Sequence, residues 1–357
     1  MACCAKPCAE EPLTAMNPSP TPLRSSWRSA PEKGGGWSWR LGVLLLGAGG
    51  LLAWLLFGQP RKVLVAITSW PGYEYLYLAE QKQLARPHGL ELVVKQYSSL
   101  ADQRAAYVQG ELNVMATTLP EAIAVCQERP QRCPLLVLVL DESLGADRLM
   151  ARRELTSPAQ LRGMRVGLER TVLAEYLLLR SFEGLPNLGL EQLDLRFDGP
   201  VALVRGLQAG DLDAIVTYAP HDIALAADGR FAELFSSRRL PGEIVDVLAV
   251  SPEFARSRAG DVRALVRTWW AAQDFARRLP TEAVAEMAQR QQITPEQFRQ
   301  SEQGLRYPDS AKQLELLRAK GPVERALAGM AAQMRQAGRI EAAAPLPRTS
   351  TAFLVTP

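Results

Sequence analysis

Polar and aromatic residues that could handle a small molecule fall, in this chain, where apolar runs end. Ser69-Trp70-Pro71-Gly72 follows VLVAI, Thr117-Thr118 closes LNVMA, and Asp141-Glu142-Ser143 closes LLVLVL. Further on, Glu169-Arg170-Thr171 closes MRVGL, Tyr218 comes shortly after LDAIV, and a lone Asp246 interrupts IVDVLAV. The indole of Trp70 could lie flat over a ligand or cap the core, and its position leaves both open. Motifs for bond-making chemistry are missing. There is no G-x-S-x-G and no phosphate-cradling GxxxxGK, and Gly34-Gly35-Gly36 reads as a linker. His88 and His221 stand far apart, and no Cys/His spacing suits zinc. His221 could line a cleft as a hydrogen-bond donor or sit on a surface loop. Nothing in these motifs calls for a cofactor or a metal.

The elements that would position these residues alternate. An apolar, β-branched run over residues 63–67 predicts a buried strand. Tyr73, Leu76, Tyr77 and Leu84, at three- and four-residue steps, predict a helix directly after it. Such a junction leaves helix N–H groups at the carboxyl end of a sheet, where open α/β folds bind ligands. Strands are expected over 89–97, 112–116 and 135–140, with helices over 101–109 and 119–126. A second α/β unit has strands over 164–168, 193–197 and 212–216 and helices over 172–182 and 201–208, with Thr171 as an N-cap. The chain returns through 231–235 and 244–250, then becomes helical over 261–278, 282–291, 311–319 and 323–336. The Trp269-Trp270 pair, at helical spacing on an apolar face, is expected in the core. The pattern predicts doubly wound, mainly parallel sheets.

The chain has 357 residues, 22% of them charged, and a formal charge of +3. That is an ordinary soluble surface with no pull toward nucleic acid. Residues 1–40 are expected to be a disordered cytoplasmic segment and 41–58 a transmembrane anchor, since 41–57 carries no charge. Arg24, Arg28, Lys33 and Arg40 precede this run and only Arg61 and Lys62 follow it closely, so the remainder should be exported. A cleaved signal peptide is the rival reading, but Ala48-Gly49-Gly50 falls in mid-run and no cysteine stands beside it to take a lipid. The expected location is the inner (cytoplasmic) membrane, single-pass, with the C-terminal domain in the periplasm. Cys126 and Cys133, in the exported part, either form a disulfide or remain two thiols.

Six collinear stretches resemble periplasmic solute-binding proteins of ABC importers, in the nitrate/sulfonate/taurine and thiamine-pyrimidine-precursor group. They are SWPGYEYLYLAE, GELNVMATTLPEAI, LDESLGADRLMARREL, LRGMRVGLERTVLAEYLLLRSF, GDLDAIVTYAP and LFSSRRLPGEIVDVLAV, within residues 63–278. The resemblance implies a two-lobed, type II-like binding-protein fold. Lobe one would be 61–146 with 251–338, lobe two 147–250 with the crossover strands, and 339–357 a tail. It implies a small-molecule solute, an ABC permease and an ATPase as partners, and no enzymatic activity. Two departures stand out. Members are usually released by signal cleavage or lipidated, whereas this chain reads as anchored by a helix. Relatives that hold anions usually open the helix after the GMRVG-like segment with small residues, where this chain has Glu169-Arg170-Thr171; Arg170 could partly offset the acid.

Carried over position by position, the resemblance implies a site of Trp70, Tyr73, Thr117, Thr118, Asp141, Ser143 and Asp147, with Glu169, Thr171, Tyr176, Tyr218, Ser236 and Asp246. Trp70 against Tyr218 would clamp a planar group. Asp141 and Asp147 could instead cap turns, and Asp246 could pair with Arg148 or Arg165. Acids gathered in one cleft are costly unless the ligand or internal arginines answer them. The expected solute is therefore a nitrogen-containing heterocycle or small amine rather than sulfonate, nitrate or taurine. The other readings are a membrane-anchored ligand sensor and, more remotely, a pyrimidine synthase-like enzyme, whose cysteine-rich motif the exported part lacks.

Overall fold

Residues 59–355, apart from positions 186 and 342, are described by the structure, a computed structural model. The expected cytoplasmic segment and membrane anchor lie outside the described residues. Among the described residues no helix is long and apolar enough to cross a membrane.

Lobe one begins with β1 (Arg61–Ile67), a 3-10 turn over Pro71–Tyr73, and α1 (Glu74–Gln81). It continues through β2 (Leu90–Gln96), α2 (Leu100–Gln109), β3 (Val114–Thr118), α3 (Leu119–Glu128) and β4 (Leu135–Ser143). Lobe two follows with β5 (Asp147–Arg152), β6 (Arg165–Leu168), α4 (Val172–Ser181), β7 (Asp194–Phe197), α5 (Pro200–Ala209), β8 (Ala214–Tyr218), α6 (Ile223–Ala227) and β9 (Phe231–Ser236). The chain then returns as β10 (Val245–Val250). It finishes with α7 (Pro252–Ser257), α8 (Ala259–Arg278), α9 (Pro280–Arg290), α10 (Pro295–Glu302), β11 (Leu305–Arg306), α11 (Ser310–Leu317), α12 (Pro322–Gln336) and β12 (Arg348–Thr349).

The strands form two sheets. One has the order β11-β4-β10-β3-β1-β2, with β12 also on β4; the other has the order β7-β6-β8-β5-β9. The expected mainly parallel sheets are in fact mixed: β10 is antiparallel to both neighbours and β11 to β4 in the first, β5 is antiparallel to both neighbours in the second, and the remaining pairings are parallel. Strands β5 and β10 follow the crossovers, because a chain leaving one lobe enters the other running backwards. The expected boundary at 250 is therefore corrected. β10 lies between β3 and β4 in the first sheet, so the second crossover is the segment 237–244. Its alternation explains the placement: Val245, Val247 and Ala249 join one core, while Leu248 and Val250 join the core on the opposite face. A strand apolar on both sides belongs inside a sheet covered on both faces.

The expected C-terminal tail is likewise corrected. β12 pairs with β4 at Leu135 and Leu136, and β11 pairs with it at Ser143 and Glu142. Together they cover the outer edge of β4, and Phe353 is buried. The strand expected over 112–116 runs instead over Val114–Thr118, since the β-branched Thr117 and Thr118 extend it and are both buried. Helix α10 went unforeseen although its signal was present: Thr294 and Gln297 form a capping box. Trp269 and Trp270 are core residues. Cys126 and Cys133 form the disulfide that joins the end of α3 to the approach to β4.

At the first crossover, Leu144 N–H donates to the Gly304 carbonyl at 2.7 Å. A methyl group on Gly304 would lie 2.7 Å from the Ala146 backbone nitrogen. Gly304→Ala is therefore expected to destabilise the fold by about 1–3 kcal/mol. The measurement is urea unfolding of wild type and variant, read as a lower midpoint at an unchanged slope.

Candidate functional site

Strand register brings the acids together. Asp246 in β10 lies opposite Thr118 of β3 on one side and Asp141 of β4 on the other. Directly opposed residues have Cβ atoms about 5 Å apart. In the second sheet Asp147 opens β5 opposite Tyr218 at the end of β8. The loop after β6 adds Glu169, and Thr171 caps α4 by accepting Ala174 N–H at 3.2 Å. Ser99 does the same for α2 through Asp102 N–H at 3.0 Å.

The turn after β1 closes over this floor. Trp70 Nε1–H donates to Asp141 Oδ1 at 3.2 Å, and the Tyr73 hydroxyl donates to Asp246. Gly72 makes the approach possible, because a Cβ there would stand 2.0 Å from Asp141 Oδ2 and 2.7 Å from the indole nitrogen. From behind, Gln291 at the end of α9 donates to the Ser69 carbonyl at 3.0 Å and to Glu74 at 2.9 Å. Arg290 completes the support with an ion pair to the buried Glu74.

The lobes are shut on a cavity of about 40 Å³, room for two or three water molecules. It is lined by Thr68, Trp70, Tyr73, Thr118, Asp147, Glu169, Thr171, Tyr218 and Asp246, with Ser99 and Leu100 of lobe one. Leu173, Ala174, Leu177 and Val216 form its apolar side. Three of these residues are carboxylic acids, and no Lys, Arg or His is among the described residues of the lining. Asp147 Oδ2 and the neighbouring Thr217 Oγ1 are buried without a hydrogen-bond partner.

Desolvation dominates the electrostatics. Burial pushes the Asp147 and Glu169 carboxyls up to about 7; a Ser143 hydrogen bond opposes it at Asp147, and the Tyr218 hydroxyl opposes it at Glu169. Asp141 is pushed up to about 8 by burial against the opposing pull of the Trp70 N–H. Asp246 is raised well above the usual carboxylate range, by burial and by the facing Asp141 charge. The Asp141–Asp246 pair therefore keeps a proton at neutral pH and titrates as one unit.

The NMT1-like family model matches residues 58–292. The chain belongs to the NMT1-like family. It is also 24% identical over 225 residues to the taurine-binding periplasmic protein of Escherichia coli (strain K12), covering 61% of this chain and 67% of that protein. The fold matches the alkanesulfonate-binding protein SsuA from Xanthomonas axonopodis pv. citri bound to MOPS, with a TM-score of 0.65 at 17% identity over 79% of this chain and 95% of that one. SsuA from Escherichia coli gives a TM-score of 0.65 at 14% identity, covering 79% and 89%. These likenesses place this NMT1-like chain in the two-lobed fold of periplasmic binding proteins.

Five of the expected site residues do not reach the cavity. Thr117 is buried in β3, and Asp141 lies behind Trp70. Ser143 hydrogen-bonds Ser237 at 2.8 Å in the crossover region. Tyr176 donates to Glu243 at 2.6 Å, and Ser236 to Glu233 at 2.7 Å. Ser99 and Leu100 were missed, although the Ser99-x-x-Asp102 cap marks another helix start at the same sheet edge. The expected aromatic clamp is not open: the Trp70 and Tyr218 rings meet edge-on at 5.8 Å and leave no slot for a plane between them. Asp246 pairs with neither arginine, since Arg148 is held by Asp222 at 3.1 Å and Arg165 by Asp213 at 2.9 Å. Arg170 does not offset Glu169 from within the lining, because it stacks over Phe197 at 4.2 Å. His221 packs edge-on against Tyr218 at 5.2 Å without joining the lining.

Raised carboxyls give a signed prediction. Between the ordinary carboxyl range near pH 4 and about pH 8, the folded chain holds protons that the unfolded chain has released, so stability falls as pH rises. His88 and His221, both lowered by burial, act in the opposite sense only below about pH 6.5. The thermal midpoint of ligand-free protein should therefore drop from pH 6.5 to 8, and Asp246→Asn should flatten that drop. A midpoint that climbs across this window in wild type would contradict the assignment.

Proposed function

We propose that this protein is an extracytoplasmic solute-binding protein that delivers a small amine to an ABC importer, tethered to the inner membrane by the apolar run 41–58. Family membership and the two-lobed fold support the binding role. The carrying observation for the solute is the cavity lining, which offers three carboxyls, with Asp147 Oδ2 unpartnered, and no positive side chain among its described residues. An ammonium group supplies what these oxygens lack, both charge and N–H donors. Trp70 and Tyr218 add aromatic edges and faces at its flank. The closed rings and the small cavity favour an amine over a planar heterocycle, which would need the lobes further apart.

A zwitterion such as taurine is the second reading, favoured by the name of the Escherichia coli relative. Its ammonium could meet the same acids, but its sulfonate would find no cation in the lining. The permease and ATPase are the partners this role requires, and the periplasm is the location it requires.

Calorimetry of the full-length protein with methylamine, ethanolamine, taurine and methanesulfonate tests the proposal. A cation must displace protons from lining carboxyls raised to about 7, so amine affinity should rise about tenfold or more from pH 6 to pH 8, with proton release. Asp147→Asn should weaken amine binding about 10- to 100-fold. Tight methanesulfonate binding with no response to amines would sink the reading.

A further inference from the structure

One buried carboxyl faces the seam between the lobes. Glu121, in the first turn of α3 in lobe one, is fully buried. Its Oε1 accepts the backbone N–H of Val172 at 2.6 Å and that of Leu173 at 3.4 Å, both in the first turn of α4 in lobe two. Its Oε2 is paired with the Arg104 guanidinium of α2, which Glu128 holds in turn at 2.8 Å. Helix α4 is ten residues long and already capped by Thr171, whose hydroxyl serves Ala174 N–H. The N–H groups of Val172 and Leu173 are those the local cap leaves over. Burial pushes the Glu121 carboxyl up, and the Arg104 guanidinium and the two N–H groups of the helix end oppose that push. The same turn of α4 lines the cavity through Leu173 and Ala174.

We infer that Glu121 is a built-in anion that latches lobe two onto lobe one and denies the α4 N-terminus to external anions, making it a specificity-determining residue of the cleft. This rests on reading the cleft as the solute site. An incoming sulfonate or carboxylate would have to displace a carboxylate that is already covalently placed and paired. The charge choice of the cleft is thereby fixed twice, by acids in its lining and by an occupied anion seat beside it.

Glu121→Ala in the full-length protein would leave Arg104 and two backbone donors without their anion. Hydrogen exchange at Val172 and Leu173 should speed up about tenfold or more and slow again in acetate. Acetate or methanesulfonate should bind this variant and not wild type by calorimetry. Unchanged exchange in the folded variant, or equal anion binding by wild type, overturns the inference. Should Glu121→Ala fail to fold, Glu121→Gln keeps an oxygen for Val172 and loses the charge; exchange several-fold faster than wild type is expected, and wild-type rates overturn the inference. Neither readout uses an amine, so failure of amine binding and failure of the latch are separate results.

Discussion

A carboxyl group stripped of water must find a proton or a positive charge, and the cavity between these lobes is floored by acids with no basic side chain among the described residues of its lining. That constraint begins in one strand. β10 returns from lobe two carrying a single acid among aliphatic residues and slides between β3 and β4, which sets Asp246 next to Thr118 and Asp141. A shift of one residue would turn Asp246 to the other face of the sheet and bury a charge in hydrocarbon. The aliphatic alternation of β10 therefore fixes the acid pair as firmly as it fixes the core.

The arginines near the cleft are spent elsewhere. Arg148 serves Asp222 and Glu233, Arg165 and Arg152 share Asp213, Arg306 takes Glu142, and Arg180 takes Glu243 across to the second crossover. The pairs of Arg148, Arg306 and Arg180 tie strands and loops beside the crossovers, and the two arginines on Asp213 lie at the far ends of β5, β6 and β8, so none of them neutralises the floor. The separation of charge has a consequence for selectivity. The relatives of known ligand named above handle sulfonates, whereas here Arg104, which reaches toward the α4 end through Glu121, is already matched by Glu121 and Glu128.

Much of this was legible in the chain because apolar runs end abruptly in polar residues, and in a doubly wound sheet those ends share one edge. Trp70, Glu169 and Tyr218 could be placed on that edge without coordinates, and Asp147 was implied by the family resemblance. What could not be read was non-local. Nothing around Ser236 says that the crossover is complete before Val245, since an apolar strand fits either sheet equally well. The segment after Gly338 lacks periodicity, and only the open edge of β4 gives it a place. Glu121 was hidden by an ordinary local explanation: Thr118-x-x-Glu121 before an apolar run reads as a capping box. Thr118 does accept Glu121 N–H, at 3.4 Å, but the Glu121 side chain crosses to the other lobe instead of folding back.

Closure and charge neutralisation are, in this cleft, one event. With the lobes shut there is little water to screen Asp147, Glu169 and Asp246, and burial raises all three carboxyls toward their protonated forms. Opening readmits water and lets the protons leave, which stabilises the open form as pH rises. The proposed cation would reverse that bias, because it would occupy the oxygens the protons leave, and would do so only where the lobes surround it. Proton and solute thus compete for the same oxygens while favouring the same conformation. On that reading, a cationic solute would be what keeps the cleft both shut and ionised.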